Sequence, residues 1–401
     1  MVKLVKNMKR EMLVYLCMIA LSALGLALSH NVFSNYFKDV YNVSAYQRGL
    51  IEFPREIPGF LSILVVGALS FISDIKISMI AQLLSIVGIA ALGFMTPPFG
   101  VMLIFIFINS MGMHLFMPMQ TSIGMSLIKD GRIGKRMGQY RGVTTAFRMF
   151  GAIIVFVGFK FGLLSFDTPV KYVFIISAAI FAVVFVLLIY LDKLMKHSDL
   201  HHKKQKYVFR KEYKYYYILV VMFGVQKQMM MVYAPWVLID LLSKKVETLA
   251  ILAIVGSFIG IFFIPAVGRW LDIFGVKKLL YIDALSFIGV YALFGILCAG
   301  YVDGFLAKAG LPVLLAYILF IVDRMSTQLG LVRTVYLKSI AVETTDITPT
   351  LSLGMTMDHF VSITAAFLGG IVWTQWGPQY IFFLVSGLSL VNLYVAIKVK
   401  D

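Results

Sequence analysis

The sequence predicts an all-α integral membrane protein with twelve transmembrane helices in two pseudo-symmetric six-helix bundles. Hydrophobic residues make up 60% of its 401 residues and charged residues only 14%, and the mean hydropathy is +0.89. An ordinary globular domain carries about 25% charged residues. Apolar stretches of the roughly 20 residues that a membrane helix needs recur along the whole chain. Lipid is therefore expected to be the main solvent of this chain.

Twelve such stretches are separated by short polar breaks. Their approximate bounds are 11–37, 46–73, 77–96, 99–128, 138–162, 168–192, 213–240, 247–270, 277–300, 311–337, 349–374 and 378–398. We interpret the first span as an uncleaved helix, because it is too long for a signal peptide and lacks a small-residue cleavage site.

The formal net charge of +16 is concentrated in segments that would lie on one side of a membrane. If the N terminus is cytoplasmic, most Lys and Arg residues fall in inward-facing segments, as the positive-inside rule requires. This distribution determines the orientation of the spans in the membrane and predicts cytoplasmic N and C termini. It also argues against a nucleic-acid partner. Compact loops and short termini lead us to expect a multi-pass protein of the plasma membrane, specifically a bacterial inner membrane.

A basic segment, residues 193–212, divides the chain into an N-terminal bundle, residues 1–192, and a C-terminal bundle, residues 213–401. It is the only long polar segment, so we interpret it as a cytoplasmic linker. Cys17 and Cys298 both lie in apolar spans, which predicts neither a disulfide framework nor a metal site. The P-loop pattern GxxxxGK[ST] does not occur, and we expect no cofactor.

A tract in the second half lies between two apolar spans and reads Gly268-Arg269-Trp270-Leu271-Asp272-Ile273-Phe274-Gly275-Val276-Lys277-Lys278. A less complete copy of this tract, Gly67 to Lys76, occupies the corresponding place in the first half. The tract matches the G-x-x-x-D-x-x-G-x-K/R-K/R pattern that the major facilitator superfamily carries between the second and third helices of each half. The chain therefore resembles that superfamily over essentially its whole length.

The resemblance implies a gating role for the loop residues. In that family the loop Asp caps a neighbouring helix N terminus and pairs with an Arg when the inner side is shut, a favourable charge–dipole contact. The residues at the matching places are Asp74, Gly268, Asp272, Gly275, Lys277 and Lys278. The resemblance also implies that the first and fourth helices of each half line a central cavity and that the third and sixth face lipid.

Ionisable side chains recur near the depth of the bilayer centre. Each costs about 2.5 to 3.5 kcal/mol on insertion scales, so it has to be paired, hydrated or liganded. Helix rise places at this depth Arg148, Lys227, Asp323, Arg324, Asp358, His359 and His114. One interpretation is internal pairing, of Asp323 with Lys227 or Arg324. Asp358 would then pair with Arg148. The excess of cations over acids instead favours an anionic or zwitterionic substrate group.

Neutral polar residues accompany these charges. Gln226 and Gln228 flank Lys227, and at the offset between the halves they fall opposite Asn31 of the first span. Transporter sites are expected at equivalent points of two repeats, although hydrogen bonding between helices is an alternative role for the Gln pair. We predict that the solute contacts Arg148, Lys227, Gln226, Gln228, Asp323, Arg324, Asn109, His114, Gln120, Gln328 and Asn31.

The second span contains a charged string, Glu52-Phe53-Pro54-Arg55-Glu56. The two carboxylates are four residues apart and Arg55 is three from Glu52, so all three share one helix face. Two carboxylates in a poorly hydrated place titrate as a coupled set, and His changes charge near neutral pH. We predict proton coupling by Glu52, Glu56, Arg55, Asp358 and His359. A static outer-gate ion-pair network and simple helix packing are the alternatives.

These patterns predict a secondary active transporter, not an enzyme, that moves a small anionic or zwitterionic organic solute by alternating access. Proton coupling would make it a symporter or antiporter. The expected partners are the small-molecule substrate, protons and the lipid bilayer, and we expect a monomer. An exporter of amphipathic drugs or lipid-like molecules is the alternative, and a Met- and Phe-rich lining would favour it. The charges at the midplane argue against a non-transporting receptor or scaffold.

Overall fold

The computed structural model of the protein describes residues 10–69, 71–128, 133–195, 209–343 and 346–399, and residues 196–208 of the predicted linker lie outside this part. The chain forms two compact units. The first unit comprises Met1–Val40 and Ile57–Lys204, and the second comprises Tyr41–Glu56 and Gln205–Asp401. A short segment from the first half of the sequence therefore belongs to the second unit.

All regular elements in the described part of the chain are helices. The α-helices are Arg10–His30, Phe33–Tyr41, Ala45–Leu50, Glu52–Ala68, Asp74–Phe94, Phe99–Ser126, Ile133–Lys160, Tyr172–Leu194, Lys214–Gln228, Ala234–Trp236, Val246–Asp303, Leu311–Gln328, Gly330–Ile340, Ile347–Gln375, Pro378–Leu388 and Leu390–Lys398. A 3₁₀ turn at Lys211–Tyr213 and two π-helical segments, Met229–Tyr233 and Val237–Leu241, complete the set.

Among the described residues, ten segments are long and apolar enough to cross a membrane. One of them, Val246–Asp303, has 58 residues and is interrupted at Gly275, where φ is 78° and ψ is 169°. Glycine alone adopts such a conformation readily, so Gly275 separates the eighth and ninth spans. Glu52–Ala68, with 17 residues, supplies the second span. These helices account for the twelve predicted spans.

The second span begins in two pieces because of a proline. A capping box at Ser44 starts the helix Ala45–Leu50. Pro54 cannot donate a hydrogen bond to the carbonyl four residues earlier, which belongs to the last residue of this helix. Ile51 then joins it to Glu52–Ala68. The charged string of this span therefore follows directly on a helix break.

Two membrane segments change their backbone conformation directly after a polar cluster. The seventh is α-helical at Lys214–Gln228 and π-helical at Met229–Tyr233. The first is interrupted for two residues, beginning at Asn31, between Arg10–His30 and Phe33–Tyr41. π-Helical turns occur frequently at functional sites. The two irregularities lie at the points that the sequence analysis placed opposite each other in the two halves.

Each unit has its own apolar core. In the first unit it includes Tyr15, Ile123 and Leu188. Small residues bring the helices of this unit together: a Cβ added at Gly112 would lie 2.4 Å from the carbonyl oxygen of Ala81. Membrane helices associate largely by such close packing, because lipid provides no hydrophobic drive between them.

Gly112→Ala is expected to destabilise the first unit by about 1 to 3 kcal/mol, because the added methyl group has to displace the backbone of the neighbouring helix. Gly142→Ala is the matched control, since no atom lies within 4 Å of the Cβ that it adds. Both changes raise helix propensity equally. Thermal unfolding in detergent measures the difference, and equal melting temperatures for the two variants would contradict the packing argument.

An ion-pair cluster in the second unit holds the described end of the linker. Arg210 Nε lies 2.8 Å from Asp346 Oδ2, and Arg210 Nη2 lies 2.9 Å from Glu343 Oε1. The Tyr213 hydroxyl donates a hydrogen bond of 2.7 Å to Asp346. This hydrogen bond, together with Arg210, holds the pKa of the Asp346 carboxyl below its ordinary value.

Asp346→Asn is expected to lower the melting temperature at pH 7. A carboxylate whose pKa is lowered by folding adds stability above its unfolded pKa of about 3.9, and this stability is lost as the pH falls through the folded value. The difference between wild type and variant should therefore shrink as the pH falls below about 4. A pH series of thermal unfolding, with the exposed Asp303→Asn as control, checks this; a difference independent of pH would refute it.

Candidate functional site

The second unit brings together an ionic cluster of Glu56, Lys227, Asp358 and His359 from three membrane segments. Lys227 Nζ lies 2.8 Å from Asp358 Oδ2 and 3.4 Å from Glu56 Oε2. His359 Nδ1 lies 2.7 Å from the same Glu56 oxygen. Each of these side chains is between 12% and 17% exposed. Glu56 thus bridges a fixed cation and a side chain whose charge depends on pH.

Glu52, the other carboxylate of the charged string, is buried between two arginines. Arg48 Nη1 lies 2.6 Å from Glu52 Oε1, and Arg55 Nη1 lies 2.5 Å from it. Glu52 is 1% exposed and Arg48 is 0% exposed. Buried cations need such a counter-ion, because removing one partner of a buried pair leaves an uncompensated charge. For Glu52 the contacts favour the ion-pair alternative over proton exchange.

The ionic cluster and the Glu52 pairs together are close to electroneutral. Their charged members are the cations Arg48, Arg55 and Lys227 and the carboxylates Glu52, Glu56 and Asp358. These charges balance when His359 is neutral, and one added proton gives the group a net positive charge. Charges interact more strongly in a poorly hydrated environment than in water.

Small residues allow the charged string to approach the helix that carries Asp358 and His359. A Cβ added at Gly49, in the helix Ala45–Leu50, would lie 2.4 Å from the carbonyl oxygen of Ala366. Such a distance excludes any side chain at this position. The role of Gly49 could not be predicted from the sequence, because a glycine in an apolar span has many possible roles.

The first unit contains a cavity of about 160 Å³. Of the predicted solute contacts, Arg148, Asn109 and Gln120 line it, and Met113 and Met117 provide part of its apolar wall. Arg148 is the one charged side chain among the described lining residues. The structure therefore combines a single positive charge with neutral hydrogen-bonding groups.

Gln82 lines the same cavity and was missed by the sequence analysis. It is 2% exposed, and its Oε1 accepts no hydrogen bond from the described residues. Gln82 and Ser85 belong to the third span, and Phe181, another lining residue, belongs to the sixth. The expectation that these two spans only face lipid is therefore wrong at these positions. An amide side chain within an apolar span was the signal that could have identified Gln82.

Asp323 does not pair with Lys227, contrary to one interpretation of the sequence. The Lys227 ammonium group lies beside Asp358 and Glu56 instead. Asp323 is 0% exposed, and the Tyr291 hydroxyl donates a hydrogen bond of 2.9 Å to its Oδ1. Asp323 Oδ2 has no hydrogen-bond partner among the described residues, and the contact of Asp323 with a solute stays a prediction.

The two glutamines beside Lys227 have different surroundings. Gln226 Nε2 donates a hydrogen bond of 3.0 Å to Ser389 Oγ, and Asn392 donates one of 3.4 Å to Gln226 Oε1. These bonds favour the alternative role of Gln226, hydrogen bonding between helices, and its contact with solute stays a prediction. Gln228 is 0% exposed, and its amide has no hydrogen-bond partner among the described residues.

The remaining predicted solute contacts are dispersed. His114 Nδ1 lies 2.9 Å from the carbonyl oxygen of Ser110, and Asn31 is half-buried in the break of the first segment. Neither lines the cavity in the described part of the chain. In the second unit, Arg324 is half-buried and Gln328 is exposed.

The predicted gating residues lie at the start of one helix and around the interruption of another, and not in extended loops. Asp74 is 1% exposed and is the first residue of the helix Asp74–Phe94, where the helix dipole favours a carboxylate. Asp272 is exposed and forms no ion pair with the described residues of its own unit. The other gating residues are Gly268 and Gly275, which belong to the interrupted helical segment, and Lys277 and Lys278, which follow the interruption.

Apolar spans that enclose paired charges and a polar cavity are typical of a membrane transporter, since such groups mark solute or ion pathways in a bilayer. A sequence profile described as Major Facilitator Superfamily matches residues 15–342. The chain belongs to this superfamily, as the loop tracts predicted. It is a multi-pass secondary transporter and not an enzyme.

Solved structures share the fold over nearly their whole length. A mutant of the nucleoside transporter NupG has a TM-score of 0.76 and 14% identity, with 97% of this chain and 99% of that chain covered. A POT family transporter in complex with 5-aminolevulinic acid has a TM-score of 0.75 and 12% identity, with 98% and 96% covered.

A D-xylose-proton symporter has a TM-score of 0.65 and 17% identity, with 96% of both chains covered. Identities this low show a common fold and nothing about the substrate. No curated protein sequence matches this chain.

Proposed function

We propose that the protein moves a small anionic or zwitterionic organic solute by alternating access, and that protons drive the movement. The observation that carries the proposal is the position of Glu56, whose carboxylate is shared by Lys227 and His359. A carboxylate with a fixed cation on one side and an imidazole on the other can exchange a proton while Lys227 keeps Asp358 as its counter-ion.

Protonation of Glu56 changes its contacts with Lys227 and His359. The neutral acid loses its attraction for Lys227, which keeps Asp358 at 2.8 Å as its counter-ion. The second span is then held less tightly to the helix that carries Asp358 and His359. A proton therefore controls a contact between segments from the two halves of the sequence, as coupling requires.

Arg148 is the proposed contact for the negative group of the solute. Its guanidinium group offers a planar fork that matches a carboxylate or phosphate with two hydrogen bonds. The amides of Asn109 and Gln120, which line the same cavity, supply neutral donors and acceptors. This set of groups supports binding of a polar organic anion.

The remaining parts of the proposal concern topology and gating. The distribution of Lys and Arg supports cytoplasmic termini and a cytoplasmic linker between two bundles, and we place the protein in a bacterial inner membrane as a monomer. We assign the inner gate to the segments that contain Asp74 and Asp272. The break at Gly275 gives the second segment a sharp change of direction.

A two-stage experiment tests the proposal. A thermal-shift screen of the purified full chain against anionic and zwitterionic metabolites identifies ligands by their stabilising effect. Ligands from this screen are then supplied to proteoliposomes with and without an imposed pH gradient. We expect accumulation only with the gradient, and uptake unaffected by the gradient would contradict proton coupling.

Export of amphipathic drugs or lipid-like molecules is a second candidate. It is favoured by the apolar part of the cavity lining, to which Met113, Met117, Phe116 and Phe181 contribute. Methionine provides an adaptable surface for varied apolar ligands. Greater retention of a fluorescent amphipathic dye in cells that lack the protein would support export, and unchanged retention would favour the first proposal.

A further inference from the structure

The cavity of the first unit combines one charge with several neutral hydrogen-bonding groups. Arg148 provides the charge, the amides come from Gln82, Asn109 and Gln120, and four Ser and Thr side chains add hydroxyls. The described lining includes no Asp or Glu. The cavity is thus complementary to a molecule with one negative group and several neutral polar groups.

Gln82 has hydrogen-bonding capacity that the protein leaves unused. Its Oε1 accepts no hydrogen bond from the described residues, although the side chain is 2% exposed. The Asn109 amide, by contrast, donates a hydrogen bond of 3.4 Å to the carbonyl oxygen of Ser85. A buried amide oxygen without a partner is costly, and a ligand hydroxyl would satisfy it.

The absence of a carboxylate from the described lining bears on selectivity. A zwitterionic ligand would bring an ammonium group into a cavity that holds Arg148, and the described lining residues supply no counter-ion for it. The two like charges repel each other, which raises the free energy of binding the zwitterion. A hydroxyl in place of the ammonium group meets only neutral amides and hydroxyls.

We infer that this cavity selects a small hydroxylated monoanion without an ammonium group, and that Gln82 of the third span is a residue that determines this specificity. Arg148 binds the anionic group and Gln82 accepts a hydrogen bond from a ligand hydroxyl. The inference rests on the proposed function and narrows its substrate class from anionic or zwitterionic solutes to monoanions.

The test uses three probes with closely similar open-chain skeletons: gluconate, its zwitterionic analogue 2-amino-2-deoxygluconate, and neutral sorbitol. Binding to the purified full chain in lipid nanodiscs at pH 7 is measured by calorimetry. We expect gluconate to bind at least about tenfold more tightly than either of the other probes, a difference of about 1.4 kcal/mol. Failure of gluconate to bind, or equal binding of the zwitterion, would overturn the inference.

Gln82→Glu tests the role of the residue by a change of preference. The new carboxylate is a counter-ion for the ammonium group of the zwitterion, and it repels the carboxylate of a bound ligand. The preference should therefore move from gluconate to the zwitterion by about tenfold or more. Gln375→Glu makes the same chemical change at an exposed position of the second unit and should leave the preference unaltered. A folded Gln82→Glu variant that keeps the wild-type preference would overturn the inference.

Gln82→Leu covers the case in which the charged variant does not fold. Leucine has a volume similar to that of glutamine but cannot accept the hydrogen bond from the ligand hydroxyl. Gluconate should therefore bind about tenfold more weakly while the zwitterion remains excluded. Wild-type affinity for gluconate in this variant would show that Gln82 does not contact the ligand. Melting temperature and gel filtration establish that each variant is folded.

Failure of this inference can be separated from failure of the proposed function. If a pH gradient drives accumulation of a zwitterion in proteoliposomes, the selectivity inferred for the cavity is wrong and the coupling proposal stands. If gluconate binds as expected and the gradient leaves its uptake unchanged, the coupling proposal is wrong and the inferred selectivity stands.

Discussion

Glu56→Gln is expected to abolish accumulation driven by a pH gradient while leaving exchange of solute across the membrane intact. A gradient of one pH unit supports about tenfold accumulation for each coupled proton, and the variant should lose this factor. The physical reason is the loss of the one carboxylate that Lys227 and His359 share. Glutamine has nearly the same shape and can still accept hydrogen bonds, but it cannot take up a proton in this pH range.

Uptake and counterflow in proteoliposomes measure these two properties separately. Glu212→Gln makes the same chemical change at an exposed position and is the matched control. The change is made at Glu56 alone, because Glu52 neutralises two arginines and its replacement would test stability rather than coupling. If the Glu56 variant still accumulated solute tenfold in a one-unit gradient, Glu56 would not be the coupling group.

Arg148→Gln is expected to weaken solute binding by at least about 30-fold, the equivalent of about 2 kcal/mol. Arg148 is the one charged side chain among the described residues that line the cavity, so no neighbouring cation in that lining can replace it. Compared with arginine, glutamine keeps an N–H donor but loses the positive charge and the planar guanidinium group that can form two parallel hydrogen bonds.

The dissociation constant of a ligand from the thermal-shift screen provides the measurement for Arg148. Arg141→Gln, on the same helix and exposed, removes a positive charge outside the cavity lining and is the control. Unchanged affinity in the Arg148 variant would rule out this cavity as the site for an anion. A loss of affinity in both variants would point to a general effect of charge.

Most of the fold could be predicted because a bilayer makes each helix visible as an apolar stretch. The gating tract was also informative, since its second glycine, Gly275, has a backbone conformation that other residues rarely adopt. The break at Ile51 follows from Pro54, which cannot donate a hydrogen bond to the carbonyl of Leu50. By contrast, nothing in the pattern of apolar residues indicated that residues 41–56 would belong to the second unit.

The partners within the site were harder to predict, because the sequence gives the depth of a residue in the bilayer but not the direction in which it points around its helix. Depth alone made Asp323 a reasonable partner for Lys227, whereas the structure puts Asp358 and Glu56 there. The same uncertainty concealed the buried pair of Asp283 and Arg333, whose Oδ2 and Nη1 atoms are 3.4 Å apart.

The string of paired charges in the second span has a consequence for the nascent chain. His359 is 303 residues from Glu56 and is synthesised much later, so the span enters the bilayer before its partner exists. Together Arg48, Glu52, Arg55 and Glu56 nevertheless carry no net formal charge. Glu52 pairs with Arg48 and Arg55 inside the segment, which lowers the cost of transfer from the translocon to lipid. The arginines thus assist insertion during biogenesis.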